Sequence, residues 1–178
     1  MNSRRIFSLV LLVSLVSLSA FAAPPMKSPK LAELEYFVGN WDCKGTSFAM
    51  QDNPEHSTMG KAKGWWTLDG QWLAISYDET KDAKNPHPVS ARMFLGYDWQ
   101  LKQIVSGGLD NMGGYATSSS DGWKNNELTL DGPMHTGGMT VKNRDVFTKK
   151  SATELMHASY IEMNGKWQKL DEETCWKK

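Results

Sequence analysis

The chain has 178 residues, with 20 basic groups balanced by 20 acidic ones and 40% hydrophobic residues. That length suits a single domain able to bury a core, and the lack of a basic excess argues against a nucleic-acid partner, whose phosphates need neutralising. Eight Trp and ten Met supply large apolar side chains, fit either to fill a core or to line a ligand cavity.

Residues 1–22 carry a secretory pattern. Arg4 and Arg5 precede an apolar run from Ile6 to Leu18, and Ala20-Phe21-Ala22 supplies the small-x-small cleavage step. The run is short for a bilayer and no later segment is more apolar, so no membrane span is expected. Cleavage near Ala22 makes the mature protein periplasmic and leaves 18 basic against 20 acidic groups. Residues 23–30 read as a flexible lead into a domain covering 31–178. Ser28 is placed to N-cap a short helix with Pro29 at its first position, where the missing N–H costs nothing. Leu31, Leu34 and Val38 fall on one face at α-helical spacing, and Gly39 is a natural stop. The helix is expected to cover one end of the β structure C-terminal to it.

After Gly39 the period changes to two. Ten short segments alternate apolar and polar residues: 40–49, 58–68, 71–79, 91–98, 102–109, 113–120, 125–131, 139–148, 153–163 and 166–177. Asp69-Gly70, Asp121-Gly122 and Asn164-Gly165 carry hairpin-turn chemistry. The fold class is therefore all-β: a closed, up-and-down antiparallel barrel of about ten strands with an N-terminal capping helix. The Asp69-Gly70 turn pairs Trp66 with Leu73, Gly64 with Ile75 and Ala62 with Tyr77 on one face, small against large as a curved inner wall needs. The opposite face pairs Lys61 with Asp78. In the last hairpin, a turn at Asn164-Gly165 sets Met163 opposite Lys166 and His157 opposite Glu172 on the more apolar face, either as a structural pair or as a working one.

Cys43 lies on the first strand and Cys175 on the last, which are neighbours in a closed barrel, and an exported chain with two cysteines favours a disulfide between them. The hairpin register, however, points Cys175 outward, whereas an inward Trp41 carries Cys43 inward. A bulge in one terminal strand would reconcile the two.

Gly39-Asn40-Trp41, the strand end Gly96-Tyr97-Asp98, the turn Asp110-Asn111-Met112-Gly113 and the closing Trp167…Glu173-Thr174-Cys175-Trp176 resemble the bacterial domain-of-unknown-function family 1579 over roughly residues 31–177. That family is similar to the calycins: lipocalins, fatty-acid-binding proteins and haem-carrying nitrobindins. The resemblance implies a closed barrel around an internal cavity and no particular activity. Nitrobindin-like proteins hold haem through a His on a terminal strand, and the matching stretch here, Asp171 to Trp176, has none, so no haem is expected.

Other chemistry is sparse. His56, His87 and His135 sit in segments read as loops, without the spacing of a preformed metal site, and no metal or other cofactor is expected. No nucleophile elbow occurs, and no helix follows Gly107-Gly108, Gly113-Gly114 or Gly137-Gly138 to make a phosphate loop. Arg92 and Arg144 lie within strands, and alternation leaves their facing open. An inward one would suit an anionic ligand group. The candidate ligand-binding residues are Trp41, Trp66, Leu73, Tyr77, Arg92, Arg144, His157 and Glu172. Two functions fit these residues: a monomeric, non-catalytic barrel holding a small apolar or amphipathic molecule, or a cavity enzyme of isomerase, cyclase or dehydratase type using His157 and Glu172 for proton transfer.

Overall fold

The computed structural model describes residues 27–50 and 53–178, so the secretory pattern at 1–22 lies outside the described residues. Ten antiparallel strands succeed a short helix: β1 (Gly39–Ser47), β2 (His56–Thr67), β3 (Trp72–Glu79), β4 (Ser90–Asp98), β5 (Gln103–Asp110), β6 (Tyr115–Ser120), β7 (Glu127–Thr136), β8 (Met139–Lys149), β9 (Glu154–Met163) and β10 (Lys166–Lys177). Each strand pairs with its sequence neighbours, and β1 pairs with β10, so the sheet is a closed up-and-down barrel. Closure leaves no free sheet edge among these strands. No helix among the described residues is long and apolar enough to cross a membrane.

The β2–β3 hairpin has the register its side chains demand: Trp66 pairs with Leu73, Gly64 with Ile75, Ala62 with Tyr77 and Lys61 with Asp78. The β9–β10 hairpin starts as expected, with Met163 opposite Lys166 and Tyr160 opposite Lys169, and then departs. Leu170 is an extra residue in β10, so Asp171 pairs with Ser159 and the ladder continues one place out of step. Since strand side chains alternate, this bulge reverses the facing of everything after it. His157 therefore stands opposite Glu173 and not Glu172. Asp171, Glu173 and Cys175 turn inward, and Glu172 turns outward to pair with Lys169. The bulged Leu170 carbonyl is not orphaned, because it accepts a 2.8 Å hydrogen bond from the Phe48 N–H beyond β1.

The same bulge removes the conflict between the cysteines. Cys43 and Cys175 are register partners across β1 and β10 and are joined by a disulfide, with Cα atoms 4.0 Å apart. Both are buried in the barrel wall.

The helix Pro29–Phe37 is a 3₁₀ helix, not an α-helix. At three residues per turn, i, i+3 and i+6 share a face, so the buried row is Leu31, Leu34 and Phe37, and Val38 becomes the cap outside it. Ser28 N-caps it by accepting from the Lys30 N–H, as expected. Three indoles fasten it to the barrel: Trp41 donates to the Phe37 carbonyl at 3.0 Å, Trp123 to the Glu33 carbonyl at 2.9 Å and Trp66 to the Glu35 carboxylate at 2.7 Å. Gly64 makes the docking possible, because any Cβ there would collide with the Phe37 carbonyl oxygen. Beneath the helix Leu73, Leu95, Ile104, Leu128 and Leu130 pack without solvent exposure, closing that end of the barrel.

β7 runs to Thr136, beyond the expected end at 131. Pro133 lacks an N–H, which reads as a strand breaker, yet it holds its place opposite Lys142 in the ladder to β8. The deficit falls on the other side, where β6 and β7 pair only at Tyr115–His135, Ala116–Met134 and Ser119–Asp131. His135, expected in a loop, thus lies in a strand and stacks on Tyr115 with ring centroids 4.4 Å apart. His56 likewise opens β2.

Candidate functional site

The packed leucines fill only the helix-covered half of the interior. Toward the other end the strands enclose a cavity of about 310 Å³, at the small end of ligand-site volumes. Phe37, Trp41, Phe147 and Leu155 line its floor. Small inward residues, Ala62, Gly64, Ala91, Gly108 and Ala116, make the room, and Ile75, Met93 and Met134 coat that side. The rim carries Ser47, Glu79, Val89, Asp110 and Tyr115.

The opposite wall, built by β8, β9 and β10, is polar. Alternation in β8 turns Asn143 and Asp145 inward on the same side as Phe147, and the post-bulge register of β10 adds Asp171 and Glu173. His157 sits among them. Its ring stacks on Phe147, with centroids 4.6 Å apart and planes 27° from parallel. Nε2 lies 3.1 Å from Asp145 Oδ1, and Nδ1 lies 3.6 Å from Asp171 Oδ1 and 3.7 Å from Glu173 Oε1. Asn143 donates to the other Asp145 oxygen at 2.8 Å. The hydroxyl of Tyr77, across the cavity on β3, lies near Glu173.

The charges arise from this packing. Burial opposes charging of His157, but the hydrogen bond to Asp145 and the fields of Asp171 and Glu173 outweigh it and raise its pKa to about 9. Burial is also the leading influence on Asp171, lifting its pKa to about 6 against the pull of the imidazolium, and on Glu173, whose pKa is raised. Burial and the Glu173 carboxylate together push Tyr77 up. At neutral pH His157 is therefore an imidazolium with both nitrogens protonated. It has no lone pair with which to take a proton, and it serves as the counter-ion of three carboxylates. Asp171, at about 6, lies closer to neutrality than His157.

Of the residues singled out from the sequence, Trp41, Tyr77, Arg92 and His157 line the cavity. Arg92 does so at the edge, its guanidinium committed to Asp78 at 3.0 Å and to the Tyr77 and Ala91 carbonyls. Leu73 is fully buried in the packed end, and Trp66 is taken up by Glu35 and by the Lys27 ammonium 4.2 Å from its ring. Arg144 faces outward, bound to Asp131 at 2.7 Å and lying over Trp167, and Glu172 faces outward with Lys169. The His157–Glu172 pair is thus replaced by His157 with Asp145, Asp171 and Glu173. Asn143 and Asp145 were not anticipated, although the i, i+2 spacing to Phe147 in Asn143-Arg144-Asp145-Val146-Phe147 is a signal that could have found them. Half of the tryptophans, Trp65, Trp99, Trp167 and Trp176, are exposed, and Trp41 alone of the tryptophans lines the cavity among the described residues.

The fold is similar to that of a solved structure. The crystal structure of Rv2717c from M. tuberculosis superposes with a TM-score of 0.62 at 9% identity, covering 86% of this chain and 99% of that one. A redesigned β-barrel, mFAP1, bound to DFHBI, gives a TM-score of 0.41 at 14% identity, covering 80% of this chain and 96% of that one. No curated protein matches the sequence. The family profile described as protein of unknown function DUF1579 matches residues 27–177, and the chain belongs to that family.

Proposed function

We propose that the protein is an exported carrier or receptor barrel that holds one small apolar or amphipathic molecule, without transforming it. The observation that carries this reading is the half-filled interior: a floor and one wall of aliphatic and aromatic groups, facing a single concentrated polar wall. Apolar surroundings with few converging polar groups are the usual make-up of a small-molecule site. His157, protonated and bound to carboxylates, has no free lone pair with which to serve as the general base of the catalytic alternative. The secretory pattern at 1–22 and the Cys43–Cys175 disulfide support a periplasmic location.

Native mass spectrometry of the protein recovered from periplasm tests this. The expected result is a mass starting near Ala23 with a non-covalent adduct of small-molecule size, absent from an Ala91→Trp variant that fills the cavity. A protein that retains Met1 and stays in the cytosol would overturn the export part. An adduct unchanged in Ala91→Trp would overturn the cavity part.

A further inference from the structure

The polar wall is unbalanced. One imidazolium faces Asp145, Asp171 and Glu173, so the cluster carries two surplus negative charges whenever all three carboxyls are ionised. His157 Nε2 is taken by Asp145 at hydrogen-bonding distance. Its single Nδ1–H faces two carboxylates at 3.6 and 3.7 Å, too far to be a good hydrogen bond to either. Glu173 has the Tyr77 hydroxyl nearby. The Asp171 carboxylate accepts no hydrogen bond among the described residues, and its side chain keeps 40% of its surface open although burial dominates its proton affinity. Both observations hold if it is enclosed by the barrel yet faces the cavity.

The other charged groups on the cavity are already engaged. Glu79 accepts from Asn85 Nδ2 and the Val89 N–H, each at 2.8 Å, and so ties down the 80–89 loop. Asp110 accepts from the Met112 and Gly114 N–H groups, closing its own turn. Arg92 belongs to Asp78, and Lys169 belongs to Glu172 on the outer surface. No lysine among the described residues lines the cavity. The missing positive charge and the missing N–H donors lie at one place, between Asp171 and Glu173, with apolar surface opposite.

We infer that the molecule taken up is a cationic amphiphile: a protonated amine on a compact apolar body, its ammonium between Asp171 and Glu173 and its body against Ile75, Met93 and Phe147. This rests on the carrier reading and narrows it. An ammonium supplies donors to two under-satisfied acceptors and cancels part of the surplus charge. A carboxylate ligand of the same shape would enter a like-charged field and lose its hydration without a partner.

Three probes with the same chain separate charge from shape: 1-octylamine, 1-octanol and octanoate, titrated calorimetrically into the oxidised protein at pH 7.5. Octylammonium is expected to bind at least about tenfold tighter than octanol, a difference of about 1.4 kcal/mol, with octanoate weaker than either. Asp171→Asn and Glu173→Gln should each reduce that preference several-fold, whereas Glu172→Gln on the outer face leaves it intact. Lowering the pH to 5 should also shrink it, as Asp171 gains a proton in the field of His157, Asp145, Glu173 and Glu79. Equal binding of amine and alcohol, or tighter binding of octanoate, would overturn the cationic assignment while leaving the carrier reading in place. Binding of none of the three would overturn both. The wild-type series needs no variant to fold, so the outcome does not depend on the substitutions.

Discussion

His157 holds the polar wall together, and its removal has a calculable direction. Taking away one member of a buried charged set leaves uncompensated charge, so His157→Gln is expected to lose about 3–5 kcal/mol in urea unfolding at pH 6.5. The pH dependence is more diagnostic. The folded-state pKa is raised from 6.5 to about 9, so between these values the folded protein binds more protons than the unfolded one. The stabilisation is fully present below about pH 6.5 and is lost as the pH rises through 9. Wild-type stability should decline across that window, and the decline should be much reduced in His157→Gln. Parallel curves for the two proteins would show that the imidazolium is not the responsible group. At this scale the sequence disclosed His157 and an acidic partner but named the wrong acid, because Glu172 and Glu173 are adjacent and one place in register decides between them.

Among the elements, the tenth strand matters most, and its irregularity left no trace in composition. Leu170 is an ordinary strand residue, with neither the glycine nor the positive φ that marks many bulges. The turn chemistry that fixed the β2–β3 register worked because nothing intervenes between the turn and the far end of that hairpin. In the β9–β10 hairpin the same logic was valid for four pairs, from Lys166–Met163 to Lys169–Tyr160, and failed beyond them. Deleting Leu170 is a direct test. It should close the ladder without a bulge while Asp171 stays opposite Ser159 and Cys175 opposite Leu155, so the disulfide still forms after air oxidation; two thiols open to a thiol reagent would show that Leu170 is not the extra residue. The helix was legible in place and capping but not in pitch, since Leu31, Leu34 and their neighbours satisfy either spacing until Phe37 competes with Val38 for the buried row.

For the molecule as a whole, ring order was readable from evenly spaced strands and turn residues. How much of the interior is filled was not, because that depends on which tryptophans and methionines face in, and half of the tryptophans are exposed. Closure is held by two independent means: the β1–β10 ladder, from Trp41–Lys177 to Ser47–Asp171, and the disulfide within it. Reduction should therefore lower the unfolding free energy by about 2–5 kcal/mol without opening the barrel. Matched urea titrations with and without reductant measure the loss, and unchanged β-sheet circular dichroism in dilute reductant checks that the fold survives. Collapse of the sheet signal on reduction alone would show that the ladder cannot close the ring unaided.

The covalent link has a further effect. Once oxidised, the backbone from Cys43 round to Cys175 is a continuous loop, and the two outermost ribbons cannot peel away from each other as loose ends do. Any widening of the wall has to begin between interior ribbons instead. The sparsest stitching is where β6 meets β7 beside Pro133, and there a Cβ on Gly132 would strike the Thr117 carbonyl oxygen, so the backbones lie too close for a larger residue to brace them.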